Sequence, residues 1–286
     1  MADGGSPDRI LYDCGSLRIG SFRLRPDQRP FEDTGPIQGF LLVYPRTSVI
    51  IEHAGRAPVV ADPTKVMLYN RGQEYRRRAL TEIGDACEWF SFPPELVVEA
   101  MRSYDPSAVD RPERPFRAVH AATDADTYLL QRRIVEHVLS NQAPDRLLVE
   151  ESMMRLLSRA VSRGTARADA RRRSTIDDHR AIADACRRTL ARHFADSPSL
   201  EAIASNVGVS PFHLARVFHR ESGMTLHGYV HELRLRTALE RVAEGEELAR
   251  VALDLGFANH SHFTAAFRRL FGVTPTGYKR SIRARS

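Results

Sequence analysis

Leu200-Glu-Ala-Ile-Ala-Ser-Asn-Val-Gly-Val-Ser-Pro-Phe-His-Leu-Ala-Arg-Val-Phe-His-Arg-Glu-Ser-Gly223 and Leu248-Ala-Arg-Val-Ala-Leu-Asp-Leu-Gly-Phe-Ala-Asn-His-Ser-His-Phe-Thr-Ala-Ala-Phe-Arg-Arg-Leu-Phe-Gly272 are two copies of one pattern. Each copy runs Leu-x3-Ala-x3-Gly, then an apolar anchor, a Phe four residues later and a closing Gly. Apolar residues at helical spacing turn one face of each segment into a core. Gly208 and Gly256 fall where a helix must end in the left-handed conformation that glycine adopts without strain. A second helix follows each turn. Ser210 is placed to cap the first and Pro211 to open it, and Asn259 is placed to cap the other. Helix, glycine turn, helix is the helix-turn-helix arrangement, whose second helix enters the DNA major groove.

Between the copies, Thr225 to Ala243 has apolar residues at helical period: Leu226, Tyr229, Val230, Leu233, Ala238, Leu239 and Val242. At about 1.5 Å per residue this rod is roughly 28 Å long. That suits two probes held about one DNA turn, ~34 Å, apart.

Residues Ser197 to Tyr278 resemble the DNA-binding domain of the AraC/XylS family of bacterial transcription regulators. The carrying segments are Ser199-Leu-Glu-Ala-Ile-Ala, Val209-Ser-Pro-Phe-His-Leu-Ala-Arg-Val-Phe, Gly223-Met-Thr, Leu233-Arg-Leu-Arg-Thr-Ala and Gly256-Phe-Ala-Asn-His-Ser-His-Phe onward to Lys279-Arg280. The resemblance implies paired helix-turn-helix units at 199–221 and 247–271 within a DNA-binding domain at 175–286. It also implies double-stranded DNA as a partner, RNA polymerase as a second partner if the chain activates, and an N-terminal domain that senses a small molecule. The family often has a basic residue where this chain has Ala265, so the second unit is expected to read bases more weakly.

Charge placement agrees. Of the formal net charge of +6, residues 164–286 carry 20 Lys+Arg against 13 Asp+Glu, whereas residues 1–163 balance to −1. A basic excess confined to one half is the footprint of a polyanion-binding domain. The three cysteines, Cys14, Cys87 and Cys186, are scattered and form no CxxC pair, which suits a reducing cytoplasm. Met1 to Ile10 lacks the basic and apolar regions of a signal peptide, and no apolar run reaches the ~18 residues of a membrane span.

The N-terminal half reads as β structure. Met1 to Asp8 is Gly/Ser/Pro/Asp-rich and is expected to be disordered. Short β-branched and aromatic runs at Leu17–Arg25, Ile37–Tyr44, Thr47–His53, Lys65–Asn70, Glu74–Leu80 and Cys87–Phe92, separated by turn residues, predict a barrel or sandwich. The family resemblance implies a cupin-like β-barrel over residues 1–118. His53 is the sole histidine before His120, too few for a site of three or four ligands, so no metal and no cofactor is expected there. Arg76, Arg77 and Arg78 hint at an acidic ligand, although alternation sends at least one to solvent. Two helices, Asp124–Ser140 and Asp145–Ser162, form a hairpin within 119–163 that either dimerises the chain or covers the barrel. Gly164 to Ser174 is basic, lacks large apolar residues and reads as a linker. Ser174–Phe194 leads into the repeat as a helix with Cys186 in its core face. The fold class expected is therefore α+β with two domains: a cupin-like barrel plus helical hairpin, then an all-α domain with two helix-turn-helix units on a linker helix.

Helix geometry nominates contacts. In the first reading helix Leu214 and Phe218 face the core. Ser210, Phe212, His213 and Arg216 are base-contact candidates. Arg216 leads, because a guanidinium bonds bidentately to guanine. Phe212 meets either a thymine methyl or the core, and His213 and His219 either donate to phosphate or are merely solvated. In the second reading helix Phe263, Phe267 and Leu270 face the core, and His260, Ser261 and Thr264 are the base-contact candidates. Arg268, Arg269, Lys279, Arg280, Arg283 and Arg285 are phosphate candidates. His260 and His262 point to different sides of a helix and make no metal pair. The sequence contains no GxSxG, P-loop, HExxH or strand-borne GxGxxG, so no catalytic residue is expected. Two alternatives stand beside an effector-responsive regulator: an effector-independent regulator whose β domain only dimerises, and a thiol-based redox sensor or enzyme fused to a DNA-binding domain.

Overall fold

The computed structural model describes residues 7–28, 31–141, 143–165, 173–196 and 198–283. The chain divides into two compact units, Met1–Ala168 and Asp169–Ser286. The expected linker lies largely outside the described residues, as do residues 1–6 of the expected disordered terminus.

Among the described residues the first unit is built on ten antiparallel strands: β1 (Asp8–Asp13), β2 (Arg18–Leu24), β3 (Asp33–Thr34), β4 (Phe40–Pro45), β5 (Val49–Glu52), β6 (Val59–Ala61), β7 (Lys65–Tyr69), β8 (Tyr75–Ala79), β9 (Asp85–Phe92) and β10 (His120–Ala122). They form a six-stranded sheet, β1-β2-β9-β4-β7-β10, and a four-stranded sheet, β3-β8-β5-β6. Here the sequence expectation is corrected. Among the described residues no strand pairs across the two sheets, so the ring of a closed barrel is not formed. Asp8, assigned to a disordered terminus, instead opens β1. What holds that edge is a contact over glycine. Gly20 of β2 sits opposite Trp89 of β9, and a Cβ at position 20 would lie 2.2 Å from the indole. The bare glycine lets Trp89 lie across β2 and donate from Nε1 to Asp8 Oδ1 at 2.6 Å.

Three helices follow: α1 (Pro94–Arg102), α2 (Ala125–Ser140) and α3 (Arg146–Thr165). Asp124 caps α2 by accepting from the Thr127 amide at 2.8 Å. Strand β7 explains the layering. Successive side chains on a strand point to opposite faces. Val66 and Leu68 pack with Ile134, Val135, Met153 and Leu156 of the helices, whereas Met67 and Tyr69 pack with Val49 and Ile51 of the second sheet. Most of the hairpin's apolar surface therefore covers the sheet. Leu139, Leu147 and Leu148 remain exposed. Of the three consecutive arginines, Arg76 and Arg78 are exposed and Arg77 is buried. Arg77 Nε lies 2.6 Å from Asp85 Oδ2, and the guanidinium sits over the Phe22 ring at 4.4 Å. Its charge is already matched within the protein, which removes the basis for reading it as an acidic-ligand site.

The second unit is all helical: α4 (Arg173–His193), α5 (Leu200–Val207), α6 (Pro211–Ser222), α7 (Leu226–Ala243), α8 (Leu248–Asp254), α9 (His260–Phe271) and α10 (Pro275–Arg283). Its first core joins Cys186 and Leu190 of α4 to Ile203, Ala204, Leu214, Phe218, Tyr229 and Leu233. Burial pushes the Cys186 thiol up to about 12, as befits a core residue and not a reactive one. The second core is a chain of rings in edge-to-face or tilted contact: Phe257 with Phe263, Phe263 with Phe267, and Phe267 with both Phe271 and Tyr278.

Candidate nucleic-acid interface

The two repeats fold as two helix-turn-helix units, α5–α6 and α8–α9, with α7 between them. In the first, Gly208 ends α5 at φ +76° and its amide donates to Ala204 O at 2.9 Å. Ser210 Oγ accepts from the His213 amide at 3.2 Å to start α6. In the second, Gly256 takes φ +74° and Asn259 Oδ1 accepts from the His262 amide at 2.7 Å to start α9. These are the turn and cap roles that the residue types dictate. One anchor of the pattern behaves differently. Leu200, at 36% exposure, lies at the rim, and Ile203 with Ala204 forms the buried face of α5.

Helix α7 packs against α6, α8, α9 and α10, so both reading helices rest on one rod. Sequence reading did not find the side chain that fixes the second turn to it. Arg234, buried on α7, donates from Nε to Phe194 O at 2.7 Å, from Nη1 to Gly256 O at 3.0 Å and from Nη2 to Ala195 O at 3.3 Å. Gly256 is needed for space as well as for its positive φ. A Cβ there would stand 2.5 Å from Ala195 O and 2.9 Å from Arg234 Nη2. At the far end of α7, Arg241 bonds Glu246 and Asp254 together, each at 2.6 Å, which ties α8 down. These carboxylates hold the guanidinium above its ordinary pKa, through the Glu246 hydrogen bond first.

The candidate contact residues divide as follows. Ser210, Arg216, His219, His260, Ser261, Arg268, Arg269 and Arg280 are exposed. His213 is half-buried, with its Nδ1 3.5 Å from Arg216 Nη2 and its ring 6.0 Å from that of His179. Leu214, Phe218, Phe263 and Phe267 are fully buried, as expected, while Leu270 is only half-buried. Two candidates are corrected. Thr264 is half-buried and its hydroxyl oxygen is enclosed by protein with no hydrogen-bond partner among the described residues, so that oxygen does not face outward. Lys279 Nζ donates to Gly245 O and Glu246 O, each at 2.7 Å, so its charge is engaged by the carbonyls beyond the end of α7. The side chains of Phe212 and Arg283, and all of Arg285, lie outside the described residues.

Among the described residues, no group of three or more His, Cys, Asp or Glu is arranged to hold a metal ion, and no helix is long and apolar enough to cross a membrane.

The profile of a helix-turn-helix domain family matches residues 203–281. The regulatory protein PocR of Salmonella typhimurium is 26% identical over 61% of this chain and 52% of its own length. The HTH-type transcriptional activator RhaS of Escherichia fergusonii is 30% identical over 48% of this chain and 46% of its own. The chain thus spans about half the length of these two relatives. Among solved structures, a DNA-binding transcriptional dual regulator from Escherichia coli K-12 is 27% identical over 36% of this chain and 93% of that one, with a TM-score of 0.34. On the paired helix-turn-helix units and the matched profile, residues 203–281 form a helix-turn-helix domain of the AraC type, similar to those of transcription regulators.

Proposed function

We propose that the protein is a sequence-specific transcription regulator that sets α6 and α9 into successive major grooves of double-stranded DNA. The observation that carries this reading is the pair of capped helix-turn-helix units seated on one 18-residue helix, with Arg216 exposed on the first reading helix. A rod of that length is about 27 Å, which suits probes one helical turn apart. Base reading falls mainly on the first unit. Arg216 offers a bidentate fork to guanine, whereas α9 exposes Ala265 and encloses the Thr264 hydroxyl. Exposed Arg268, Arg269 and Arg280 serve the phosphate backbone.

The N-terminal unit is read as the regulatory half, a cupin-like sensor whose small-molecule ligand shifts how the second unit meets DNA. In its second-sheet core the rings of His53, Tyr69 and Tyr75 pack tilted against one another, an aromatic cluster offered as the place to seek such a ligand. Exposed Leu139, Leu147 and Leu148 on the hairpin support pairing of two copies. Activation through RNA polymerase, in the cytoplasm, fits a relative named as a transcriptional activator. Genomic selection with the purified full-length chain tests the reading. Enrichment of a shared sequence with two half-elements is expected. Recovery of fragments with no common element contradicts it.

A further inference from the structure

Outside the reading faces, α7 and α9 bring three histidines together. The rings of His227 and His231, one turn apart on α7, lie 5.2 Å from each other, and His262 of α9 lies 5.8 Å from His231. Phe257 packs against both His231 and His262, at 5.6 and 5.8 Å, and forms the apolar floor. His227 and His262 are exposed and His231 is half-buried. Exposed Arg269 stands two turns along α9 from His262, on the same side of the helix. Among the described residues, the charged groups that act most on His231 are cationic: His227 and Arg234 from α7, His262 and Arg269 from α9. Arg234 donates to three carbonyl oxygens and adds its charge to the cluster.

We propose that His227, His231, His262 and Arg269 form a seat for a DNA backbone phosphate beside the second reading helix, and that filling the seat takes up protons. The inference rests on the DNA-binding reading and gives α9 a positioning contact that its base-facing residues lack. In the free protein, burial first and then the neighbouring cations hold His231 below its ordinary pKa. A phosphate oxyanion reverses that balance. It supplies the counter-charge, and each protonated imidazole can aim one N–H donor at it. The phosphate enters as an anion, the imidazoles gain protons from solvent, and no covalent bond changes.

The test is DNA affinity of the full-length chain between about pH 8 and pH 6 at fixed ionic strength, on the selected site and on random duplex. Each proton taken up on binding strengthens affinity by about tenfold per unit fall in pH, over the range where the bound ring is protonated and the free ring is neutral. His227→Gln and His262→Gln, both at exposed positions, are expected to keep the wild-type melting temperature and to flatten this dependence on both DNAs. Variants that keep the wild-type pH slope overturn the proposal. A second arm uses inorganic phosphate with the same chain and follows the three ring signals by NMR against chloride at matched ionic strength. Titration at higher pH in phosphate is expected. If phosphate moves the rings while the DNA slope is unaltered in the variants, the seat takes the free anion and the DNA assignment is overturned. Absence of DNA binding at every pH sinks the regulator reading itself, whereas binding with an unaltered slope sinks only the phosphate seat.

Discussion

Arg234 Nη1 donates to the carbonyl oxygen of Gly256 at 3.0 Å, across 22 residues of sequence. With its bonds to Phe194 and Ala195, one guanidinium joins the linker helix to the end of the entry helix and to the turn of the second reading unit. Removing it strands three part-buried acceptors, at about 1 kcal/mol each. Arg234→Met keeps the apolar stem and is expected to lower the stability of the second unit by about 3 kcal/mol. Gly256→Ala should also destabilise, through a left-handed alanine costing about 1–2 kcal/mol together with the clash on Ala195 O. Calorimetry of the full-length variants checks both. A wild-type melting temperature for Arg234→Met would show that the three bonds contribute nothing.

Arg216 is exposed, and among the described residues its guanidinium makes one long approach, to His213 Nδ1 at 3.5 Å. Arg216→Ala should leave the melting temperature unchanged and weaken the specific site by about 1–3 kcal/mol, relaxing one base position. Equal loss on random DNA would make Arg216 a backbone contact instead. Anisotropy titration on matched specific and random duplexes separates the outcomes.

Lys279 and Arg280 are adjacent and should fail differently. Lys279 holds two carbonyl oxygens beyond the end of α7, so Lys279→Ala is expected to cost about 1 kcal/mol of stability with little change in salt dependence. Arg280 is exposed, and Arg280→Ala should flatten the slope of log affinity against log salt by about 0.9 while stability holds. Exchange of these two signatures would reverse the assignment.

His53 gives the first unit a pH dependence. Burial, reinforced by Arg56, lowers its pKa, against an opposing contribution from the Glu74 backbone. Above about pH 6.5 the imidazole is neutral in both folded and unfolded chains and adds no slope. As pH falls below that value the unfolded chain takes up a proton that the folded chain resists, so stability declines toward the lowered folded pKa. His53→Gln should flatten the decline between about pH 6.5 and pH 5, measured by urea midpoint. A slope identical to wild type would remove His53 as its source.

The parts legible in the sequence were those set by neighbours in the chain. Gly208 and Gly256 took left-handed φ, Ser210 and Asn259 capped, and Leu214, Phe218, Phe263 and Phe267 were buried, because period, turn and cap chemistry act within a few residues. The parts that were not legible depend on distant partners. Lys279 reaches back 34 residues to a carbonyl, which no helical wheel displays. Arg234 donates to carbonyls 40, 22 and 39 residues away, which nothing in its own helix signals. Strands β1, β3, β6 and β10 are short or polar and are defined by their pairing partners, and the separation of the two sheets is likewise a property of pairing. The Thr264 hydroxyl sits on the flank of α9, where neighbouring packing decides which way a half-buried side chain turns.

Hydroxyl-radical footprinting of the full-length chain on a selected fragment tests the central claim most directly. Two protected stretches, centred about one helical turn (~34 Å) apart on one face of the duplex, are the result expected of α6 and α9 on a common rod. A single protected stretch, or none above random competitor at low ionic strength, would contradict the account.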